Sequence, residues 1–288
     1  MPKSRKRKTP ICGVVKPATQ STSSASTRAT IREFHVLLKK RTTILNGDQA
    51  GYDGGTLKDI EKRIEELGGL ETYQRMSVIG QGKERGGGSE RVLIEWLKEV
   101  GVDERCGSKL SGGKSVMRLR LLEVGALKPD NYASCSSWID CTPIDLRSRH
   151  PSIQEQDFLL MNPDEQRTKW DVVSLSLVLN FAPKPKDRGQ MLRLAHIMLK
   201  PDGYLFLVLP LPCVLNSRYL DFDRVQAIMH VIGFTRVKER WKEGGKIVYW
   251  LYQKQSQSSS PSMTPDLAPL QRKSVLRQGN RNNFSILL

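Results

Sequence analysis

The sequence predicts an α/β fold whose centre is a doubly wound sheet of seven strands between residues 116 and 253. Two observations carry this prediction. Strand-like apolar runs alternate with helical patterns through this region, as in a parallel sheet covered by helices on both faces. The last two strand patterns, at residues 235–239 and 247–252, are joined by the short turn KEGG, which is typical of an antiparallel hairpin. We therefore expect five parallel-type strands and a closing hairpin.

The first 28 residues are predicted to be a disordered basic tail. They carry seven Lys/Arg and no acid, and they offer almost nothing that a core could bury. The run KSRKRK at residues 3–8 fits a nuclear import or nucleolar-retention signal. Such a tail can serve solubility or targeting, or it can contact nucleic acid directly, and the sequence leaves both open.

Residues 29–115 are predicted to be a small helical module. Apolar residues recur at helical spacing in three stretches that begin at Ile31, Leu57 and Val92. Ordered structure is expected to start near Ile31. The pair Gly68-Gly69 should end the second helix, because glycine readily adopts the left-handed conformation found there.

Two glycine-rich stretches flank the third helix. The loop SVIGQGKERGGGSER at residues 77–91 combines glycines with cations, among them Arg85, that can approach a phosphate or a carboxylate. A mobile loop with solvated charges is the alternative. The stretch GSKLSGGKS at residues 107–115 lacks the glycine spacing of a phosphate-binding P-loop and precedes a strand, which excludes that class.

Three predicted strand ends carry groups that suit an adenosine-containing ligand. The first strand stops at Gly125, where the absence of a side chain lets the backbone approach a ligand. About 20 residues later the second strand ends at Asp145, whose carboxylate can accept both hydroxyl hydrogens of a ribose. The next segment closes on Asp157 and Phe158, which suit the amine and the ring of an adenine.

The rest of the sheet domain follows the same alternation. Residues 171–180 and 204–211 are continuous apolar runs typical of strands buried on both faces. A helix face lies between them at residues 191–199. Asp221 or Asp223 is expected to cap a further helix that ends at Gly233. Residues 254–288, rich in Ser, Gln and Pro, are predicted to be a second disordered basic tail.

The charge, the cysteines, the histidines and the apolar runs of the sequence indicate which classes of protein are expected and which are not. The net charge of +16 is concentrated in the two tails, so affinity for polyanions is expected there and in local patches. Five cysteines without a CxxC pair indicate reduced thiols in an intracellular protein. The four histidines are scattered, so neither a zinc site nor a Ser/His/Asp triad is indicated. No apolar run is long enough to cross a bilayer, and a soluble protein is expected.

The ordered set of motifs LLEVGAL, IDL, QDF, DVVSLSLVLNFAP and RGQMLRLAHIMLKPDGYLFLVLPLPC resembles the fungal large-subunit (25S) rRNA adenine-N1 methyltransferase family. The resemblance covers roughly residues 60–252. It implies a Rossmann-like class I methyltransferase fold and S-adenosylmethionine as the cofactor. The cofactor contacts that it implies are Gly125, Asp145, Glu123, Asp157, Phe158 and Arg85. The segment EVGALKP departs from the E/DxGxGxG pattern of the class, since Leu127 and Pro129 replace glycines.

The substrate side of the resemblance rests on fewer residues. The prolines of the N/D-PP-F/Y tetrapeptide that N6-adenine methyltransferases carry after the fourth strand are absent near Ser176. This absence suits attack by N1, because that nitrogen already carries an in-plane lone pair. Ser176 and Asn180 are the catalytic candidates, and Ser174 and Phe181 are further candidates for the base pocket. Ordinary packing is the alternative for all four.

The function that the resemblance implies is methylation of N1 of an adenine in large-subunit rRNA during ribosome biogenesis. Its partner would be the rRNA or a pre-ribosomal particle, in the nucleus and nucleolus, with no metal and no membrane. An S-adenosylmethionine-binding sensor that transfers nothing to RNA is the rival hypothesis. Methylation of a protein or of another RNA is a third.

Overall fold

The computed structural model describes residues 24–45, 56–69, 71–72, 88–107, 118–148, 150–256 and 267–288. The strands are β1 (Leu119–Val124), β2 (Ile139–Asp145), β3 (Gln154–Glu155), β4 (Trp170–Ser176), β5 (Leu199–Pro210), β6 (Phe234–Arg240) and β7 (Ile247–Lys254). The α-helices are α1 (Ser24–Leu45), α2 (Leu57–Glu66), α3 (Glu90–Glu99), α4 (Val102–Gly107), α5 (Pro163–Gln166), α6 (Pro185–Met198), α7 (Pro212–Leu215) and α8 (Phe222–Ile232). Short 3₁₀ helices span Ala133–Cys135, Phe158–Leu160 and Ala268–Leu270.

The seven strands form one sheet in the order β3-β2-β1-β4-β5-β7-β6. Strands β1 to β5 are parallel, and β7 is antiparallel to both β5 and β6. The predicted doubly wound sheet with a closing hairpin is therefore confirmed. The order reverses at β1, where the chain crosses from β3 to β4, and open α/β sheets bind ligands beside such a reversal.

Alternating side chains along the central strands build two cores, one on each face of the sheet. On β4, Val172 belongs to one core and Val173 to the other, and both are fully buried. This follows from the two-residue period of a strand. A strand covered on both faces needs apolar residues at successive positions, which explains the continuous apolar run in the sequence. The strand ends at Ser176 rather than at the predicted residue 180.

Helix α3 belongs to the sheet domain. Its Leu93, Trp96 and Leu97 are buried in one of the two cores, and the ring of Trp96 meets the ring of Phe206 edge to face at 6.0 Å. Helices α6 and α8 cover the opposite face. The predicted helical module of residues 29–115 therefore ends before α3, because the apolar face of that helix lies in a core shared with strands β1, β4 and β5.

Helices α1 and α2 pack together ahead of the sheet domain. Two ion pairs join them, Arg63 to Glu33 at 2.7 Å and Arg41 to Glu61 at 3.1 Å. A reciprocal capping box formed by Thr56 and Asp59 starts α2. Helix α1 begins seven residues before the expected start at Ile31. The Ser- and Thr-containing segment before Ile31 is therefore helical in this protein.

The second predicted disordered tail needs correction. Strand β7 extends to Lys254, and residues 267–288 pack against the sheet domain. Phe284, Ile286 and Leu287 are at most 9% exposed, and Ser285 is buried between them. Residues 254–283 are mostly polar, so the composition of the tail predicts disorder. The apolar anchor is too short to change that composition.

Candidate functional site

The strands β1, β2 and β4 end side by side. Val124, the last residue of β1, is in register with Ile144 on one side and Leu175 on the other. This register brings Gly125 and Asp145, predicted from the sequence as ligand contacts, to the same edge of the sheet. Because both lie at carboxyl ends of parallel strands, they border the crevice in which open α/β sheets bind ligands.

Gly125 makes the turn that opens this crevice. Its φ is +77°, which side chains rarely tolerate, and its N–H donates to the carbonyl of Ile144 at 2.8 Å. A Cβ atom built at this position would lie 3.2 Å from Cγ2 of Val178. The position thus requires glycine for its conformation and for its space.

Glu123 places a buried carboxyl group beside this turn. The residue is 9% exposed, and Asn131 donates a hydrogen bond of 2.7 Å to its Oε1. Burial raises the pKa of Glu123 to about 7; the hydrogen bond from Asn131 opposes this shift, and the nearby negative charge of Glu90 adds to it. A cationic group of a ligand would favour the ionised carboxylate and so bind here.

Ser174 does not line an open pocket. It is 1% exposed, and its side chain forms a hydrogen bond with the buried Tyr132. Ser174 is therefore packed in the interior, and the negative charge of Glu123 acts on the Tyr132 to which Ser174 bonds. Sequence reasoning missed Tyr132, Asn131 and Glu90, since no spacing pattern links them to the strand ends.

Asp145 offers a half-buried carboxylate at the end of β2. Its Oδ1 accepts a hydrogen bond of 2.9 Å from the backbone N–H of Arg147, which fixes its orientation. Burial raises the pKa of Asp145, the Arg147 hydrogen bond opposes this, and the negative charge of Glu155 adds to the rise. A diol that donates two hydrogen bonds would compensate for the carboxylate's burial.

Asp157 and Phe158 follow β3 and differ in what they present. The Oδ1 of Asp157 caps the 3₁₀ helix Phe158–Leu160 by accepting from Leu159 N–H at 2.9 Å. The ring of Phe158 is 4% exposed and lies in the hydrophobic core. It supports this edge of the site from below, and the expected stacking of Phe158 on an adenine does not fit its burial.

Ser176 ends β4 in a strained turn. Its Oγ lies 2.6 Å from Oγ of Ser89, so the two hydroxyl groups share a hydrogen bond that connects the start of α3 to the strand. The next residue, Leu177, has a φ of +56°, an unfavourable conformation for a side chain of this kind. Such strain is common where a turn must aim functional groups.

Asn180 is a buried polar residue that follows this turn. It is 6% exposed, and its Oδ1 has no hydrogen-bond partner among the described residues. An unsatisfied buried acceptor costs about 1–3 kcal/mol, so its presence calls for a reason. A ligand N–H group that donates to this oxygen would supply one.

The remaining predicted contact, Arg85, lies outside the described residues. Within the described ranges, no group of three or more His, Cys, Asp or Glu side chains is placed to hold a metal ion. No helix in that part of the chain combines the length and the apolarity needed to cross a membrane.

The raised pKa of Glu123 predicts a pH-dependent site. Its ordinary carboxyl pKa is 4.5, so the folded protein binds this proton more tightly than the unfolded chain. The group therefore stabilises the fold below about pH 4.5, and this contribution is lost as the pH rises toward 7. We expect Glu123→Gln to raise the stability of the ligand-free protein at pH 8 relative to wild type, by on the order of 2 kcal/mol, and to have little effect at pH 4.5.

Ligand binding should depend on pH in the opposite direction to the stability of the ligand-free protein. In wild type, affinity for S-adenosylmethionine, the ligand that the resemblance implies, should fall as the pH drops from 8 to 6, because Glu123 then takes up a proton. In Glu123→Gln the affinity should be weaker at pH 8 and flat across this range. Calorimetric titration and thermal unfolding at each pH measure both effects. A wild-type affinity that does not change between pH 6 and 8 would contradict this role of Glu123.

A family model and two curated proteins match most of this sequence. The family described as 25S rRNA (adenine(2142)-N(1))-methyltransferase, Bmt2, matches residues 58–286. The 25S rRNA adenine-N(1) methyltransferase of Schizosaccharomyces pombe is 36% identical over 263 residues, covering 89% of each chain. The 25S rRNA (adenine(2142)-N(1))-methyltransferase of Saccharomyces cerevisiae is 34% identical over 257 residues, covering 88% of this chain and 70% of its own.

A solved structure of 1,6-didemethyltoxoflavin-N1-methyltransferase from Burkholderia thailandensis, with bound S-adenosylhomocysteine, was also found. It is 12% identical and covers 65% of this chain and 89% of its own, with a TM-score of 0.43. The sequence matches, not this weak structural likeness, therefore establish the relationship.

Proposed function

Because the chain belongs to the 25S rRNA adenine-N1 methyltransferase family, whose members use S-adenosylmethionine, we propose that it methylates N1 of one adenine in large-subunit rRNA. The observation that carries this proposal is the arrangement of Glu123, Gly125 and Asp145 at one sheet edge, with the unpartnered acceptor of Asn180 after the neighbouring strand. Glu123, Gly125 and Asp145 suit the cofactor, and Asn180 suits an adenine base.

The residues at this edge fit S-adenosylmethionine, which supplies a methyl group on a positively charged sulfur when it is bound. Gly125 keeps the turn free of a side chain, so the methionine part can lie against the backbone. Glu123 would bind the amino group, directly or through water, and Asp145 the ribose hydroxyls. Burial raises the pKa of both carboxyls, so a hydrogen-bond donor on the cofactor would stabilise the ionised form of each. Asp157 would accept from the adenine amine.

Methylation at N1 requires no general base, because N1 of adenine carries no proton. The lone pair of N1 lies in the plane of the ring and is free to accept a methyl group without prior loss of a proton. Bound S-adenosylmethionine would supply that methyl group and leave as the neutral thioether, and the positive charge would then lie on the methylated adenine. The protein must extract the base from its stack and hold it in line, so positioning supplies most of the rate.

Asn180 and Ser176 are the residues that we assign to this positioning. The Oδ1 of Asn180 would accept a hydrogen bond from the exocyclic amine next to N1, which would satisfy an oxygen that is otherwise unpaired. Ser176, held by Ser89, would line the opposite wall. Phe181 follows Asn180 and completes the loop. A neutral acceptor is adequate because no proton has to be removed from N1.

Transfer of a labelled methyl group tests this function. Purified protein, labelled S-adenosylmethionine and rRNA that lacks modifications should give labelled large-subunit RNA. A parallel reaction on pre-ribosomal particles tells which form is the substrate. Cofactor binding without transfer to either form would favour the sensor hypothesis and would overturn the proposal.

We place the protein in the nucleus and nucleolus, where the large-subunit RNA is made. The basic run at residues 3–8 supports this, as it has the composition of an import signal. Removing residues 1–28 should abolish nuclear accumulation of a fluorescent fusion and leave methyl transfer by the purified protein within about twofold of wild type, since the removed part carries none of the site residues. Equal nuclear accumulation of the truncated fusion would refute the targeting role.

A further inference from the structure

Residues 267–288, which we call the strap, cross the surface beside the candidate site. The strap contains no acidic residue, and its cations are Arg272, Lys273, Arg277 and Arg281. Its last part is anchored, since Ser217 Oγ donates to the carbonyl of Phe284 at 2.5 Å and Leu287 N–H donates to the carbonyl of Pro185 at 3.0 Å. The cations are therefore attached to a fixed segment.

Backbone carbonyl groups hold the arginines of this region. Arg224, on α8, donates to the carbonyls of Pro269 and Arg272 at 2.7 and 2.8 Å. Arg277 donates to the carbonyls of Val214 and Leu215 at 3.0 and 2.6 Å. A carbonyl orients a guanidinium group but carries no net charge, so each arginine keeps its positive charge.

Two further arginines follow the same pattern. Arg218 donates to the carbonyl of Gly279 at 3.1 Å and to Oδ1 of Asn283 at 2.8 Å. Arg281 donates to the carbonyl of Gln278 at 2.9 Å. These contacts join the strap to residues 214–224 through four arginines, of which Arg277 and Arg281 belong to the strap and Arg218 and Arg224 lie against it.

Some arginines elsewhere on the described surface pair closely with carboxylates. Arg63 pairs with Glu33 at 2.7 Å, and Arg240 pairs with Glu95 at 2.7 Å. At the strap, the ion pair found is Arg277 with Asp221. It is long, at 3.9 Å, and the carboxylate already caps α8. Among the described residues, the arginines of the strap surface therefore have no ion pair with a carboxylate shorter than 3.9 Å.

Apolar groups lie between these charges. The ammonium group of Lys273 lies 5.5 Å from the ring centre of Tyr219. Leu215, Val275 and Leu276 are 39%, 55% and 40% exposed, respectively. Fixed cations with an aromatic ring and exposed apolar side chains between them are typical of surfaces that bind a flexible nucleic acid strand, where phosphates pair and bases stack.

A buried arginine links the strap to the base pocket. Arg188 is 3% exposed and donates to the carbonyls of Ala182, Pro183 and Ser285, the last at 2.6 Å. Its guanidinium also lies 4.2 Å from the ring centre of Phe284. Ala182 and Pro183 belong to the loop that begins at Asn180. The strap therefore adjoins the pocket to which we assign the adenine.

We propose that the strap, together with residues 215–224, binds the sugar–phosphate backbone of the substrate RNA while the target adenine occupies the pocket at Asn180. This inference rests on the proposed function, since it takes the substrate to be RNA. An acidic protein surface is the other partner that such a patch could fit. The partly exposed ring of Tyr219 and the exposed side chains of Leu215, Val275 and Leu276 favour RNA, because bases offer flat faces to them.

Charge reversal at the strap tests the proposal. The variant Arg272→Glu/Lys273→Glu removes two exposed cations whose side chains hold no carbonyl group in the described structure, so the strap should stay anchored. We expect its affinity for a fragment of large-subunit rRNA to fall by about tenfold or more at 0.1 M salt. The slope of log K against log salt should become shallower by about 1.5. S-adenosylmethionine binding and the melting temperature should be unchanged.

The control variant Lys58→Glu/Lys62→Glu changes the net charge equally on the exposed face of α2. It should retain wild-type RNA affinity. Equal losses in both variants would show that only net charge matters and would overturn the proposal. So would unchanged binding of naked RNA by the strap variant with weakened binding of pre-ribosomal particles, which would identify a protein partner. Because RNA binding is measured without methyl transfer, failure of the proposed function would show separately, as wild-type protein that binds RNA and transfers nothing.

Discussion

Gly125→Arg should abolish binding of S-adenosylmethionine while the protein remains folded. The substitution places a side chain at a φ of +77°, with its Cβ 3.2 Å from a methyl group of Val178. The long side chain can then leave only through the crevice that the methionine part would occupy. Calorimetry should detect no binding at concentrations at least about 100-fold above the wild-type Kd, a loss of more than about 2.7 kcal/mol. Methyl transfer should disappear with it.

A substitution at a second glycine serves as a control, because it introduces the same backbone strain without blocking the crevice. Gly101, at the end of α3, has a similar φ of +68° and no atom within 4 Å of a built Cβ. Gly101→Arg should therefore cost about 1 kcal/mol of stability through its backbone conformation, with cofactor binding intact. If Gly125→Arg bound S-adenosylmethionine as well as Gly101→Arg does, the cofactor would not lie on the β1 turn.

Asn180→Leu should lower kcat/KM for the RNA by about 100-fold, which corresponds to about 2.7 kcal/mol of transition-state stabilisation. The side chains are similar in size, so the pocket keeps its shape and loses only its polar atoms. Removing a buried acceptor that has no partner in the free protein should also leave stability unchanged or raise it by up to about 1 kcal/mol. Lower activity with equal or higher stability is the pattern of a residue that serves the substrate.

Asn162 supplies the matched control. It caps α5 by accepting from Asp164 N–H at 3.0 Å and lies on the exposed surface. Asn162→Leu should lower stability by about 1 kcal/mol through loss of the cap and leave methyl transfer unchanged. Thermal unfolding and steady-state kinetics measure both variants. Large destabilisation of Asn180→Leu, with kcat/KM in proportion to the folded fraction, would make Asn180 a structural residue.

The sequence predicted the parts of the fold that depend on regular patterns. The apolar periods of about two and about 3.6 residues located the strands and helices. The capping chemistry predicted Asp221 or Asp223 at the start of α8, and in the structure the cap is Asp221, whose Oδ1 accepts from Arg224 N–H at 2.8 Å. The turn at Gly125 was predicted because a strand ended there. In the segment EVGALKP only Gly125 has a positive φ, so Leu127 and Pro129 stand where the backbone does not require glycine.

The features that escaped prediction depend on contacts between distant parts of the chain. Ser89 and Ser176 are 87 positions apart, and Arg188 and Ser285 are 97 positions apart. Neither pair has a spacing that a sequence pattern could reveal. The strap is polar for most of its length, so its composition predicted disorder, and only its last few residues form the anchor. The raised pKa of Glu123 likewise depends on burial, which no spacing pattern reveals.

Mapping the product by reverse transcription tests the central claim most directly. A methyl group on N1 blocks Watson–Crick pairing, so reverse transcriptase should stop at the modified adenine. After incubation of unmodified large-subunit rRNA or pre-ribosomal particles with the protein and S-adenosylmethionine, we predict one sharp stop at a single adenine, absent with Gly125→Arg. Methyl incorporation without a stop, or stops that persist with Gly125→Arg, would contradict methylation of adenine N1 by this site.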